Sequence, residues 1–146
     1  MLAGSSWDAD VVGSFTSVAT IPATPLGMLA NQLKEQLGTT AVRVVGPDDL
    51  ICRRVGLALG ALPGRMQIAA LQRHDVDAIL CGETREWETC EYLRDAAFFG
   101  RPKGLLVVGH ATSEEAGMEY FVRWLRPHVP DVIITHVPAG DPLWVA

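Results

Sequence analysis

Two short stretches of the sequence place an ionisable side chain just beyond an apolar run, with one glycine between them. Glu83 follows the run Ala78–Cys81, and His110 follows the run at residues 105–108. Glu114 lies four residues after His110, where a helix is predicted to start. Imidazole and carboxylate groups held together in this way suit Zn²⁺, Mn²⁺ or Fe²⁺, which accept mixed nitrogen and oxygen ligands. His110 and Glu114 are therefore candidate metal ligands, and Glu83 is a candidate for a catalytic role.

A structural explanation of the same residues is also open. Acidic residues in a first helical turn often serve the helix dipole, and a histidine at a strand end often bonds a backbone carbonyl. Two ligands are also too few, because catalytic zinc sites usually take three from the protein. Among the remaining histidines, His74 and His128 fall in predicted turns and loops, and His136 falls in a predicted strand with a structural role.

The acidic neighbours of the candidate ligands have structural explanations. Thr112 is a plausible N-cap, and Glu115, three residues on, would complete a capping box with it. This interpretation gives Glu115 a structural role and leaves Glu114 free. Three further acidic residues near Glu83 are expected on the solvated face of a helix: Glu86, Glu88 and Glu91.

The elements around these residues alternate between strand and helix. Hydrophobic spacing and turn residues predict strands at 11–19, 42–45, 51–59, 76–81, 105–108 and 132–137, and helices at 25–37, 66–72, 85–99 and 114–125. The last helix is predicted to turn an apolar face inward, formed by Met118, Phe121, Val122 and Leu125.

This order predicts an α/β fold, with a mostly parallel sheet and helices on both faces. Ligands of such sheets bind beyond the carboxyl ends of the strands. If the strands at 76–81 and 105–108 are neighbours, Glu83 and His110 lie at the same rim.

Length and composition describe one folded domain. The chain has 146 residues, of which 49% are hydrophobic and 20% charged. We expect a lead-in at residues 1–10 and a single α/β domain at residues 11–146. The net charge of −5 argues against nucleic acid as a partner, and no apolar run is long enough to span a membrane.

The three cysteines indicate a reducing compartment. Cys52, Cys81 and Cys90 form no C-x-x-C pair, and an odd number leaves one unpaired in any disulfide scheme. They are expected as small core residues, with a ligand or nucleophile role for Cys81 or Cys90 as the alternative. The N-terminus does not resemble a signal peptide, so the predicted location is cytoplasmic.

The order of motifs resembles the Nif-three-like family of dinuclear-metal-centre proteins, often described as type-two GTP cyclohydrolase-like. The motifs are DVDAILCGE at 75–83, Gly109-His110 and Ser113-Glu114, preceded by similar stretches at 13–38 and 42–46. The helix at 87–92 departs from the histidine-containing version that is common in this family.

The resemblance implies that His110 and Glu114 are ligands of a pair of divalent metals. The family's other ligands, a histidine pair and an aspartate, belong to an N-terminal half, and nothing in residues 1–12 matches them. The chain therefore resembles the C-terminal half of a family member.

Two functions follow from the resemblance. One is a metal-dependent hydrolase with an unknown small-molecule substrate, whose site in this chain is incomplete and whose two ions would activate a water molecule. The alternative is a non-catalytic metal-binding or protein-interaction module. In either case the implied partner is a second copy of the chain, in a homo-oligomer, or the missing N-terminal half.

Overall fold

A computed structural model describes residues 8–12 and 16–145 of the chain, with side chains from residue 17 onward. Six strands form one sheet in the order β1-β2-β4-β5-β6-β3. Their bounds are β1 Asp8–Val12, β2 Thr16–Pro25, β3 Arg43–Val45, β4 Ile51–Ala58, β5 Ala78–Cys81 and β6 Gly104–Val107.

The centre of the sheet is parallel. Strand β5 pairs in parallel with both β4 and β6, while β2 and β1 on one side and β3 on the other are antiparallel additions. The predicted α/β class is confirmed, with its parallel strands at the centre and antiparallel strands at both edges.

Helices cover both faces of this centre. Their bounds are α1 Leu26–Leu37, α2 Gly64–Leu71, a π-helical turn Glu86–Cys90, α3 Glu91–Phe98, α4 His110–Leu125 and a short 3₁₀ turn Arg126–His128. Strand β5 is buried on both sides because its side chains alternate. Ala78 and Leu80 join one core cluster with α1, while Ile79 and Cys81 join a second with α2 and α3.

The N-terminal part of the sheet differs in detail from the prediction. The strand predicted at 11–19 is replaced by the antiparallel pair β1 and β2, and β1 takes in part of the predicted lead-in. Residues 1–7 and 13–15 lie outside the described residues. Helix α1 begins at Leu26, one residue later than predicted, and the Thr24 hydroxyl donates to the Pro22 carbonyl instead of capping the helix.

The strand predicted at 132–137 does not form. At this side of the sheet β3 pairs with β6 in antiparallel orientation and ends the strand order. Residues 132–137 instead form irregular chain that pairs with no strand among the described residues, and Ile133 is 95% exposed. Strand β3, which lies at this edge of the sheet, is largely exposed.

The inward face predicted for the last helix forms only in part. Helix α4 starts at His110, four residues earlier than expected, and none of its residues is buried. Of the predicted inward face, Met118 and Phe121 are 54% and 46% exposed, while Val122 and Leu125 are partly buried. Helix α4 contacts the rest of the fold mainly through its first turns.

The cysteines fit the predicted core role. Cys52 and Cys81 are buried and Cys90 is partly buried, and all three are free thiols. Within the described residues, no helix combines the length and the apolar character needed to cross a membrane.

Candidate functional site

The carboxyl ends of β5 and β6 bring the two predicted stretches together. The parallel register pairs Cys81 with Val107, so the residues that follow them emerge at the same rim. Two backbone bonds hold this rim, from Gly109 N–H to the Gly82 carbonyl at 3.1 Å and from Glu83 N–H to the Gly60 carbonyl at 2.9 Å. Gly60 follows β4, so three adjacent strand ends are joined here.

His110 lies between two carboxylates at this rim. Its Nδ1 is 2.7 Å from Oε1 of Glu83, and its Nε2 is 3.2 Å from Oε2 of Glu114. All three side chains are about half exposed, so water and small molecules can reach them.

The Glu83 contact determines which ring nitrogen carries hydrogen. An ionised carboxylate can only accept, so Nδ1 of His110 donates to Glu83. In the neutral ring Nε2 then has only a lone pair to present to Glu114, which is also an acceptor. The observed approach of Nε2 to Glu114 needs a proton or a cation between them. The hydrogen bond to Glu83, together with the negative charge of Glu114, raises the pKa of His110.

Ser113 and Gly60 pack the start of α4 against the strand ends. The Ser113 hydroxyl accepts from Gly60 N–H at 2.9 Å and donates to the His110 carbonyl at 2.8 Å. Gly60 has φ +64°, and a Cβ there would lie 2.4 Å from Oε1 of Glu114 and 3.5 Å from Nε2 of His110. Gly60 therefore lies directly against the His110–Glu114 pair. Its position after a strand gave no sign of this role in the sequence.

A cavity of about 540 Å³ opens beside these residues. It is lined by Glu83, His110 and Glu114, by Arg43 of β3, and by the C-terminal segment at residues 139–143. Arg43 is the cationic side chain among the described lining residues, and its guanidinium is 2.8 Å from Oε1 of Glu86. Spacing along the sequence could not predict Arg43, because the β3–β6 pairing brings it to the rim.

The predicted capping box does not form. Gly109 occupies the N-cap position, and no side chain caps the helix. Glu115 contacts the C-terminal segment instead, with Oε2 accepting from Ala139 N–H at 3.3 Å and Oε1 2.6 Å from Nε2 of His136. Glu115 still has a structural role, but a different one from that predicted. His136, which contacts Glu115, lies in irregular chain and not in the predicted strand.

The other candidate groups do not join the site. His74 is exposed, and His128 lies near the Trp124 carbonyl. Burial raises the pKa of the Cys81 thiol to about 12 and also raises that of Cys90, which disfavours the thiolate that a ligand or nucleophile needs. Glu91 forms an exposed ion pair with Arg94.

The donor set supports part of a metal site. In the part of the chain that the structure describes, no three His, Cys, Asp or Glu side chains are placed to hold one ion. The reason is geometric, because Glu83 and Glu114 contact opposite edges of the His110 ring. Nε2 and Glu114 can face one ion together, while Glu83 holds the ring from the Nδ1 side. This is the usual arrangement of a ligating histidine and its outer carboxylate.

Solved structures with the same fold are about twice as long as this chain or longer. A Bacillus cereus protein related to NIF3 matches with a TM-score of 0.71 and 19% identity, over 91% of this chain and 36% of its own. Protein ybgI, described as of unknown function, has a TM-score of 0.71 and 21% identity, with 92% and 53% covered. For Staphylococcus aureus protein SA1388 the TM-score is 0.70 and the identity 20%, with 90% and 42% covered.

At these low identities the TM-scores establish the fold alone. A comparison with curated proteins gives no match. The sequence profile of one family, by contrast, matches residues 12–139, which is most of the chain. The chain therefore belongs to the Duf34/NIF3 (NGG1p interacting factor 3) family.

Proposed function

We propose that the chain supplies part of a divalent-metal centre of a metal-dependent hydrolase, with His110 Nε2 and Glu114 as ligands. The observation that carries this proposal is the 3.2 Å approach of Nε2 to Oε2 of Glu114 while Nδ1 bonds Glu83. The two facing acceptors form a place for a cation, and Zn²⁺, Mn²⁺ and Fe²⁺ all accept this donor pair.

Each residue has a separate task in this proposal. Glu83 holds the imidazole so that Nε2 faces the ion, and Gly60 leaves room for the Glu114 carboxylate. Once bound, a divalent ion would supply the Lewis acidity that activates a water molecule for hydrolysis. Arg43, on the cavity wall, is a candidate contact for an anionic group of a small-molecule substrate.

The complete centre needs more ligands than this chain offers in the described residues. About half or more of each matched chain lies outside the region that this chain covers. We propose that this further part, or a second copy of the chain, supplies the remaining ligands and a second ion.

Metal binding tests the ligand assignment directly. The wild-type chain and the variants His110→Ala and Glu114→Gln are dialysed against Zn²⁺, and bound metal is measured by mass spectrometry. We expect both variants to lose affinity by about tenfold or more, equivalent to roughly 1.4 kcal/mol. Matched controls are His74→Ala and Glu119→Gln, which change an exposed histidine and an exposed glutamate of α4. Equal metal content in all five proteins would contradict the assignment.

The open face of α4 favours a second candidate function, a protein-interaction module. Met118, Phe121 and Trp124 are 54%, 46% and 50% exposed, although the helix is amphipathic. The partner we propose is the part of the family fold that this chain does not span. We expect the isolated chain to sediment as a monomer that binds the dye ANS, with less binding in Phe121→Lys. A dimer that Phe121→Lys dissociates would instead identify a second copy as the partner.

A further inference from the structure

The loop that carries Glu83 is held by a side chain that no sequence pattern singled out. Gln67 of α2 is completely buried. Its Nε2 donates to the Glu83 carbonyl at 2.7 Å and to the Leu62 carbonyl at 3.1 Å. Its Oε1 accepts from the hydroxyls of Thr84 and Thr89 at 3.0 and 2.9 Å. Both donors and both acceptor positions of the amide are therefore used.

The two carbonyls fix the orientation of this amide. A carbonyl oxygen can only accept, so turning the Gln67 amide over would place Oε1 against the acceptors of Leu62 and Glu83. The hydrogen bonds from Nε2 to the two carbonyls would then be lost. Each buried polar group left without a partner costs about 1–3 kcal/mol. The hydroxyls of Thr84 and Thr89 can rotate to suit either orientation, so they follow the amide and do not set it.

Gln67 and Gly60 together hold the backbone of Glu83 on both sides. The Glu83 N–H donates to the Gly60 carbonyl at 2.9 Å, and its own carbonyl accepts from Gln67. With both peptide groups fixed, the exposed carboxylate starts from a defined position beside the His110 ring. Glu83 itself is exposed, so its side chain has little packing of its own to hold it there.

We propose that Gln67 is a positioning residue for the site, acting through the Glu83 backbone to set the orientation and tautomer of His110. This inference rests on the proposed metal centre for its functional meaning, but its structural effect exists without a metal. Gln67 connects α2 to the loop that carries Glu83. In this proposal the geometry of the metal centre depends on a buried residue of α2, although α2 contributes no ligand.

The variant Gln67→Met tests this inference, because it keeps a similar volume and removes all four hydrogen bonds. The first readout is ¹⁵N NMR of the His110 ring in metal-free protein, which reports the fraction of neutral rings that carry hydrogen on Nδ1. We expect this preference for Nδ1 to be lost. The second readout is Zn²⁺ affinity, expected to fall about 10- to 100-fold, as for other outer partners of ligating histidines.

Two further variants separate positioning from general stability. Leu71→Ala removes a buried side chain of the same helix that does not hydrogen-bond the loop, and Thr89→Val removes only a bond to Oε1. Both should leave the His110 tautomer unchanged. If Gln67→Met does not fold, Gln67→Asn is measured, since it keeps the amide but withdraws it by one methylene.

The His110 tautomer tests the positioning role, and Zn²⁺ binding by the wild type tests the metal centre, so either proposal can be contradicted without the other. An unchanged tautomer in the folded Gln67 variant, or an equal change in Leu71→Ala, would overturn the positioning role. If the wild type binds no Zn²⁺ but Gln67→Met still changes the His110 tautomer as expected, the proposed metal centre is contradicted and the positioning role stands.

Discussion

Strands β5 and β6 and the amphipathic helix α4 all carry apolar side chains, but these side chains are buried to different extents in the fold. Every residue of β5 and β6 is buried, whereas no residue of α4 is. The strands are covered on one face by α1 and on the other by α2 and α3. Helix α4 packs its first turn against the strand ends through Ser113 and leaves Met118, Phe121 and Trp124 of its apolar side chains about half exposed.

This contrast separates what the chain completes alone from what it leaves open. The sheet and its two layers of helices form closed cores, so they position the rim without help. The candidate site lies where the ends of the buried strands meet the start of the exposed helix α4. Glu83 follows strand β5, and His110 and Glu114 lie on α4. A site at such a boundary is rigid on one side and available to a further chain on the other.

The largest expected effect is a stability difference between the two regions. Leu106→Ala removes a completely buried side chain from β6 and should lower the free energy of unfolding by about 2–5 kcal/mol. Met118→Ala removes a half-exposed side chain from α4 and should change it by less than about 0.5 kcal/mol. Urea unfolding followed by circular dichroism measures both values. Equal losses would mean that the α4 face is already packed in solution.

Two glycines allow backbone strain to be compared at the candidate site and away from it. Gly60 and Gly38 have nearly the same left-handed backbone, with φ +64° and +62°, but only Gly60 faces the His110–Glu114 pair. Changing either to alanine should cost about 1–2 kcal/mol through backbone strain. Only Gly60→Ala should also weaken Zn²⁺ binding, by about tenfold or more.

Calorimetric titration with Zn²⁺ measures this difference, and Gly38→Ala is its control for strain. If both glycine variants bind Zn²⁺ like the wild type, the space beside Gly60 is not part of the metal site.

The smallest effect near neutral pH concerns the thiols. Burial raises the pKa of Cys52 to about 11 and of Cys81 to about 12, from an ordinary value near 9. The folded state holds these protons more tightly than the unfolded state does. The contribution of the two thiols to the free energy of unfolding is therefore fully present below pH 9, and it is lost as the pH rises from there toward 12. At pH 8 we expect Ellman's reagent to modify Cys90 first, and the other two only after unfolding. Modification of Cys81 in the folded protein would show that the core around β5 opens readily.

The sequence predicted the buried strands β5 and β6 better than helix α4 and the C-terminal segment that follows it. Continuous apolar runs identify strands buried on both faces, and the rule for strand ends brought Glu83 and His110 together. The strand at 132–137 and the inward face of α4 were inferred from side-chain pattern alone. The first failed and the second held only in part, because a pattern shows that a segment can pair or pack, not that a partner is present.

Gln67 and Arg43 could not be predicted for a different reason. A glutamine in a short helix and an arginine in an edge strand are ordinary surface residues by type. Their contacts depend on how α2 and β3 pack against the rim, which only the assembled fold determines. Gly109 displaced Thr112 as N-cap in the same way, because the helix begins as soon as β6 and its glycine turn have ended.

The most direct test of the account is ¹⁵N NMR of the histidine rings during titration with Zn²⁺. We predict that the Nε2 resonance of His110 shifts on binding, while its Nδ1 remains protonated and bonded to Glu83. The other histidines should remain unchanged, and the Nε2 shift should disappear in Glu114→Gln. Loss of the proton from Nδ1 of His110 on metal binding, or metal-induced shifts at His74, His128 or His136 alone, would contradict the proposed centre.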